Sequence, residues 1–264
     1  MFKRVALAVL ATLFLVASAQ ADFIEYSGKI RRFTYHYATG TITETTNNAQ
    51  SFGPDVAWDS TAFTGSFYGS DLATAPPEEV VDWGDVEDGT VVNGFQIGYA
   101  ADAPDPVDYQ VNFYTGNGFG DASATLARFD LTGLPTNGDG TLGGFVIDVD
   151  LEGGFEFTIT GPDTDGFAGT DFEYGYIPLA GAGTGSTIGT LISTGGFGEE
   201  DAFDVYEPGA QADGGPYAGS LFFGGTPFAQ MHMRLYTNAI PEPTSAALLG
   251  LGVLGLALVR RRKK

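Results

Sequence analysis

VDYQVNFYT, residues 107–115, alternates with a period of two: Val107, Tyr109, Val111 and Phe113 fall on one side, and Asp108, Gln110, Asn112 and Tyr114 on the other. Successive side chains of a β-strand point to opposite faces, so the stretch predicts a strand with one face in a core and the other toward water. RFTYHYATGTIT, TVVNGFQIGY, ATLARFDL, GGFVIDVDL, FEFTIT and AQMHMRLYT read the same way, separated by glycine, proline, asparagine and aspartate. No stretch among them sustains an apolar 3.6-residue period. About ten to twelve such strands predict one all-β domain, an antiparallel β-sandwich of jelly-roll-like kind. Two acidic stretches rich in glycine and proline, residues 73–89 and 195–219, read as long loops.

Outside this body the composition changes at both termini. Lys3 and Arg4 precede an apolar run from Val5 to Ala17, with Ala19 and Ala21 after it. That order predicts a secretory signal helix over residues 1–21, handed to the secretion machinery and cleaved after Ala21. The exported body, residues 22–240, lies within the size range of a single all-β domain. It contains no cysteine, which excludes disulfides, thiolate zinc sites and cysteine nucleophiles. All 33 carboxylates lie between Asp22 and Glu242, against five cations there: Lys29, Arg31, Arg32, Arg128 and Arg234. Such a surface repels nucleic acid and other polyanions, so nucleic acid is not an expected partner.

The chain closes on IPEPTSAALLGLGVLGLALVRRRKK. Pro241 and Pro243 hold Glu242 in an extended unit, because proline has no amide proton and disfavours helix in the residue before it. Residues 244–259 are uncharged; as a transmembrane helix they would run about 24 Å, a little short of the roughly 30 Å hydrocarbon core. Arg260, Arg261, Arg262, Lys263 and Lys264 form a cluster that stays cytoplasmic, so the acidic body is expected outside.

The order of these three parts, residues 241–264, resembles the PEP-CTERM sorting signal of Gram-negative bacteria that make extracellular polysaccharide. Ile240 stands where members usually carry valine. The resemblance implies recognition by exosortase, a membrane-embedded cysteine protease or transpeptidase that removes the tail. It also implies transient anchoring in the inner membrane, then a cell-surface or extracellular location and an association with the exopolysaccharide of a biofilm. DWGDVEDGTVVNGFQIGY, VNFYTGNGFG and GPYAGSLFFGG loosely resemble the β-rich ectodomains found ahead of such tails. A permanently anchored surface protein is the competing reading of the tail.

The body offers little chemistry by motif. Its two imidazoles, His36 and His232, alternate against Tyr35 and Tyr37 and against Met231 and Met233, and are expected to face solvent from strands without a carboxylate partner. There is no G-x-S-x-G and no phosphate-binding G-x-x-x-x-G-K-[ST], and the glycines of GAGTGSTIGT lack a βαβ context. Paired carboxylates could serve a polysaccharide hydrolase or lyase, but among 33 acids some pair meets the spacing by chance. In GPDTDGFAGTDFE, Asp163, Asp165, Asp171 and Glu173 surround the turn at Gly166; oxygen-only ligands suit calcium, and a solvated acidic turn is the competing reading. Trp58 is expected in the core, and Trp83, in an acidic loop, as a platform for sugar rings. The expected protein is therefore not an enzyme but a structural or weakly carbohydrate-binding one.

Overall fold

The computed structural model describes residues 22–45, 55–71, 78–116, 124–161, 169–180, 186–194, 202–207, 210–222 and 229–237. The expected signal helix and the whole sorting tail lie outside them. Among the described residues no helix is long and apolar enough to cross a membrane.

Among the described residues two sheets account for the regular structure, apart from a short 3-10 helix at Gln211–Asp213. The larger sheet has eleven strands. Its main path runs β1 (Asp22–Glu25), β5 (Ala62–Asp71), β13 (Thr187–Thr194), β7 (Thr90–Ala101), β10 (Gly143–Asp150), β2 (Ile30–His36) and β3 (Thr41–Glu44). Off that path β11 (Phe157–Ile159) and β17 (Met233–Thr237) pair with β7, β4 (Asp55–Ser60) with β17, and β16 (Gln230–Met231) with β13. The smaller sheet has six strands in the order β15 (Tyr217–Phe222), β14 (Ala202–Tyr206), β6 (Glu79–Val86), β12 (Thr170–Ala180), β8 (Val107–Thr115) and β9 (Thr125–Leu134).

The sheets meet through aromatic rings. Phe95 of β7 lies 5.4 Å from Phe113 of β8 and 5.2 Å from Phe129 of β9, centroid to centroid. Tyr99 stacks on Tyr109 at 5.8 Å, and Trp58 meets Phe172 and Tyr174 edge-on at 5.7 and 5.4 Å. These rings are buried, Trp58 at 3% exposure, as expected of a core tryptophan. Each such side chain contributes roughly 1.5–3 kcal/mol by leaving water. With no disulfide in the body, this seam is the main cohesive element.

Several expectations need correction. The sheets are mostly but not wholly antiparallel: β2 and β10 run parallel from Ile30↔Gly144 to His36↔Asp150, which the long chain between them permits. The β-sandwich expectation is met at the coarser level of an all-β body of two packed, mostly antiparallel sheets. Residues 73–89 contain β6, and residues 195–219 contain β14, the 3-10 helix and the start of β15, so neither is one long loop. The face of 107–115 expected in water is covered: Gln110, Asn112 and Tyr114 are buried, with Asp108 half-buried.

Candidate functional site

Trp83, Asp171 and Glu173 share the outward face of the six-stranded sheet. Asp82 and Gly84 turn inward toward Tyr174 and Trp58, so Trp83 between them turns outward, and Glu173 lies directly opposite it on β12. Asp171 faces Asp85 two pairs further along. Trp83 therefore sits half-buried on a strand, not in an acidic loop. Two stretches read for different purposes, one for sugar and one for calcium, converge on one surface.

A saturated acid anchors the other half of this face. Glu79, fully buried, accepts hydrogen bonds at Oε1 from Asn112 Nδ2 and Tyr114 OH, both at 2.7 Å, and at Oε2 from the Gln211 backbone N–H at 2.7 Å. Burial pushes its carboxyl up, and those three donors pull it partly back. Residue 175 must be glycine for this arrangement, because a Cβ there would collide with Glu79 Oε1. The 3-10 helix is tied down across the face: Tyr114 OH accepts from the Ala212 N–H at 3.3 Å, and Arg128 Nη1 reaches both carboxylate oxygens of Asp213 at 3.0 and 3.1 Å. Gln211 Nε2 then donates to Glu173 Oε2 at 3.2 Å, linking the covered half to the half that carries Trp83. At the sheet edge Ser220 Oγ donates to Asp204 Oδ1 at 2.6 Å, which leaves it to accept from the Tyr217 hydroxyl at 2.6 Å.

The histidines differ from expectation. His36 is half-buried and meets a carboxylate, Asp150 Oδ2 at 2.9 Å from Nδ1, supplied by the parallel neighbour β10. His232 is buried at 2% exposure, over Gly98 on the outward side of the large sheet, where a Cβ on residue 98 would come within 2.8 Å of the ring. Gln96 Nε2 donates to Asp148 Oδ1 at 2.6 Å, which leaves Gln96 Oε1 to accept from His232 Nε2–H at 3.1 Å. Nδ1 of the ring therefore accepts from Ser193 Oγ at 2.8 Å, and Tyr236 OH completes the chain on Asp148 at 2.7 Å. Burial first, then the charges of Arg32 and Arg234, push the His232 imidazole down to about 3. This serine–histidine contact is enclosed, with Ser193 at 0% exposure, so it binds the strands together and offers no nucleophile to solvent.

Between the sheets Asp82 Oδ2 accepts from Tyr174 OH at 3.0 Å and from the Met231 N–H at 2.8 Å, while Tyr176 OH donates to the His232 carbonyl at 2.9 Å. These side chains satisfy backbone groups where the chain leaves the ladder between β16 and β17. Burial raises the Asp82 carboxyl to about 7. A narrow cleft, with room for little more than a water molecule, opens between the sheets, lined in part by Tyr68, Glu78, Tyr109, Pro178 and Thr190. Glu78, held by Tyr68 OH at 3.1 Å and pushed up by burial, is the acid of its lining.

Asp163 and Asp165 lie outside the described residues, as do Ala19, Ala21, Pro241, Glu242, Pro243 and the cluster from Arg260 to Lys264. Among the described residues no three His, Asp or Glu side chains are grouped to hold a metal ion. Sequence reading missed Glu79, Asn112, Gln211 and the His232 chain. Their one sequence signal is the presence of amides and acids at alternating positions inside otherwise apolar strands.

Comparison with known proteins places the tail. Residues 239–263 match the PEP-CTERM protein-sorting motif. The PEP-CTERM match makes this an exported protein with a membrane-anchored C-terminal sorting signal and exosortase as its processing partner. No characterised protein and no solved structure matches the chain.

Proposed function

We propose that this is a surface or extracellular-matrix protein of a Gram-negative bacterium, and that its body holds neutral polysaccharide on the outward face of the six-stranded sheet without cutting it. The observation that carries this reading is the pairing of Trp83 with Glu173 across β6 and β12, beside the Gln211 amide. An indole covers the apolar face of a sugar ring at low ordering cost, while Asp171 and Glu173, at 8% and 4% exposure, are buried beside it and shape the face without reaching the sugar. The dense acidity of the face disfavours anionic polysaccharide.

Two features support binding over hydrolysis. Glu79 and Asp82 are saturated by protein donors, and among the described residues the narrow cleft between the sheets is lined by one acid where glycoside hydrolysis ordinarily uses two. Affinity electrophoresis on neutral polysaccharide from a producing strain tests the proposal, with reducing ends assayed in parallel. Retarded wild type, unretarded Trp83→Ala and no new reducing ends are the expected results. Release of oligosaccharides, or equal retardation of the variant, would overturn it.

A further inference from the structure

The sorting tail leaves the body at a defined place. β17 ends at Thr237, and residues 238–240 separate it from Pro241. A chain reaches at most about 3.6 Å per residue, so residues 238–243 allow roughly 22 Å between Thr237 and the start of the membrane segment. The twelve residues of β7 span roughly 40 Å. The tether is thus shorter than the body it holds.

One end of the sandwich is fixed by the pairing registers. Thr237 lies opposite Asp55 of β4 and opposite Val92 of β7. On the other side of Val92 is Phe157, two strand spacings or roughly 10 Å from Thr237. The turn before Phe157, residues 152–156, is exposed throughout and carries Phe155 at 42% exposure, its ring 5.0 Å from that of Tyr37. Val56, at 41% exposure, follows Asp55. Around these apolar groups stand exposed Asp55, Glu87, Asp88, Glu152 and Glu156. Leu179 and Tyr217, also exposed, lie toward the opposite end, so apolar exposure alone does not choose between the two ends. The tether does.

We infer that, while the sorting tail is attached, the end of the sandwich formed by Thr237, the turn at 152–156 and the start of β4 lies against the outer surface of the membrane. Phe155 and Val56 touch the headgroup region there. The acidic rim repels anionic lipid and meets the ammonium groups of zwitterionic headgroups, so a zwitterionic surface is the partner it fits. The inference rests on the tail as an anchor and is independent of the sugar-binding reading.

Because the chain has no cysteine, single probes can be placed cleanly. The full chain, with its tail reconstituted into phosphatidylcholine vesicles bearing headgroup-level nitroxide, would carry a fluorophore at Glu152→Cys or, at the opposite end, at Asp105→Cys. The probe at 152 is expected to be quenched several-fold more than that at 105. Equal quenching, or the reverse order, overturns the inference, and failure of the chain to float with the vesicles overturns the anchor beneath it. Phe155→Ser and Val56→Ser, each checked for an unchanged fold by circular dichroism, should each reduce the difference. A difference that neither changes removes both residues as lipid contacts. Replacing half the lipid by phosphatidylglycerol should weaken quenching at 152, and stronger quenching would overturn the zwitterionic assignment.

Discussion

The two outward faces of this sandwich both bury polar side chains, and they fasten them differently. On the large sheet Ser193, a neutral histidine, Gln96, Asp148 and Tyr236 form a continuous chain that ends on Asp148 Oδ1, which accepts from both Gln96 and Tyr236. On the small sheet a carboxylate collects three donors from two separate segments, two from side chains of β8 and one from the backbone of the covering 3-10 helix. The first face is a fastening within strands. The second is a lid fastened over strands, with half-buried Trp83 and exposed Tyr217 on the same sheet.

Acid titration should separate the faces most sharply. His232 is neutral in the fold and titrates near 3 against an ordinary 6.5, so the stability it provides is complete above 6.5 and is lost as pH falls through 3. Over that interval the loss amounts to about 5 kcal/mol. Denaturant unfolding of wild type and His232→Gln from pH 7 to pH 3 measures it as the difference between the two curves. A difference that does not change with pH would mean that the ring is protonated, or open to water, in the fold.

Between the faces Asp82 should run the other way. Its carboxyl is raised from 3.8 to about 7, so its stabilising contribution is complete below 3.8 and disappears as pH rises through 7. About 4 kcal/mol is at stake, and Asp82→Asn should flatten the slope between pH 4 and pH 8. Parallel slopes in variant and wild type would remove Asp82 as the titrating group.

On the small sheet, Glu79→Ala should cost about 3 kcal/mol, because it strands Asn112, Tyr114 and the Gln211 N–H without their common acceptor. Amide exchange should then become faster at Gln211 and Ala212 than at Ser193 or Met233, since the lid is released and the other face is not. Uniform acceleration would mean that the two faces unfold as one.

What the sequence disclosed depended on how far apart the contributing residues lie. Val107 to Thr115 was readable as a strand because its alternation is local, yet its wet face was misjudged because the covering residue Gln211 lies 132 positions from its anchor Glu79. His232 was placed on the outward side of its strand by alternation, and its burial comes from Gln96 and Ser193 on other strands. Trp83 looked like a loop residue because aspartate, glutamate and glycine surround it, while Val80, Val81 and Val86 carry the strand. The sorting tail is the opposite case: its proline, apolar and basic parts are contiguous, so it was legible without any fold.

The smallest stability effect should belong to the residue with the largest functional one. Trp83 is half-buried on the outward face, flanked by the lid and not enclosed by it, so Trp83→Ala removes limited apolar contact and leaves no fully enclosed cavity. Its cost should stay within about 1 kcal/mol, the range of substitutions that miss the core. Trp58→Ala, in contrast, empties a site between Phe172 and Tyr174 and should cost about 3–5 kcal/mol. If the outward face is a sugar platform, Trp83→Phe should keep part of the retention on polysaccharide, because a smaller ring still stacks, and Trp83→Ala should keep none. Melting curves for the three variants, run beside affinity electrophoresis, join the two measurements. A large destabilisation by Trp83→Ala would make this indole a structural residue like Trp58 and would leave the small sheet's outward face a fastening, as the large sheet's is.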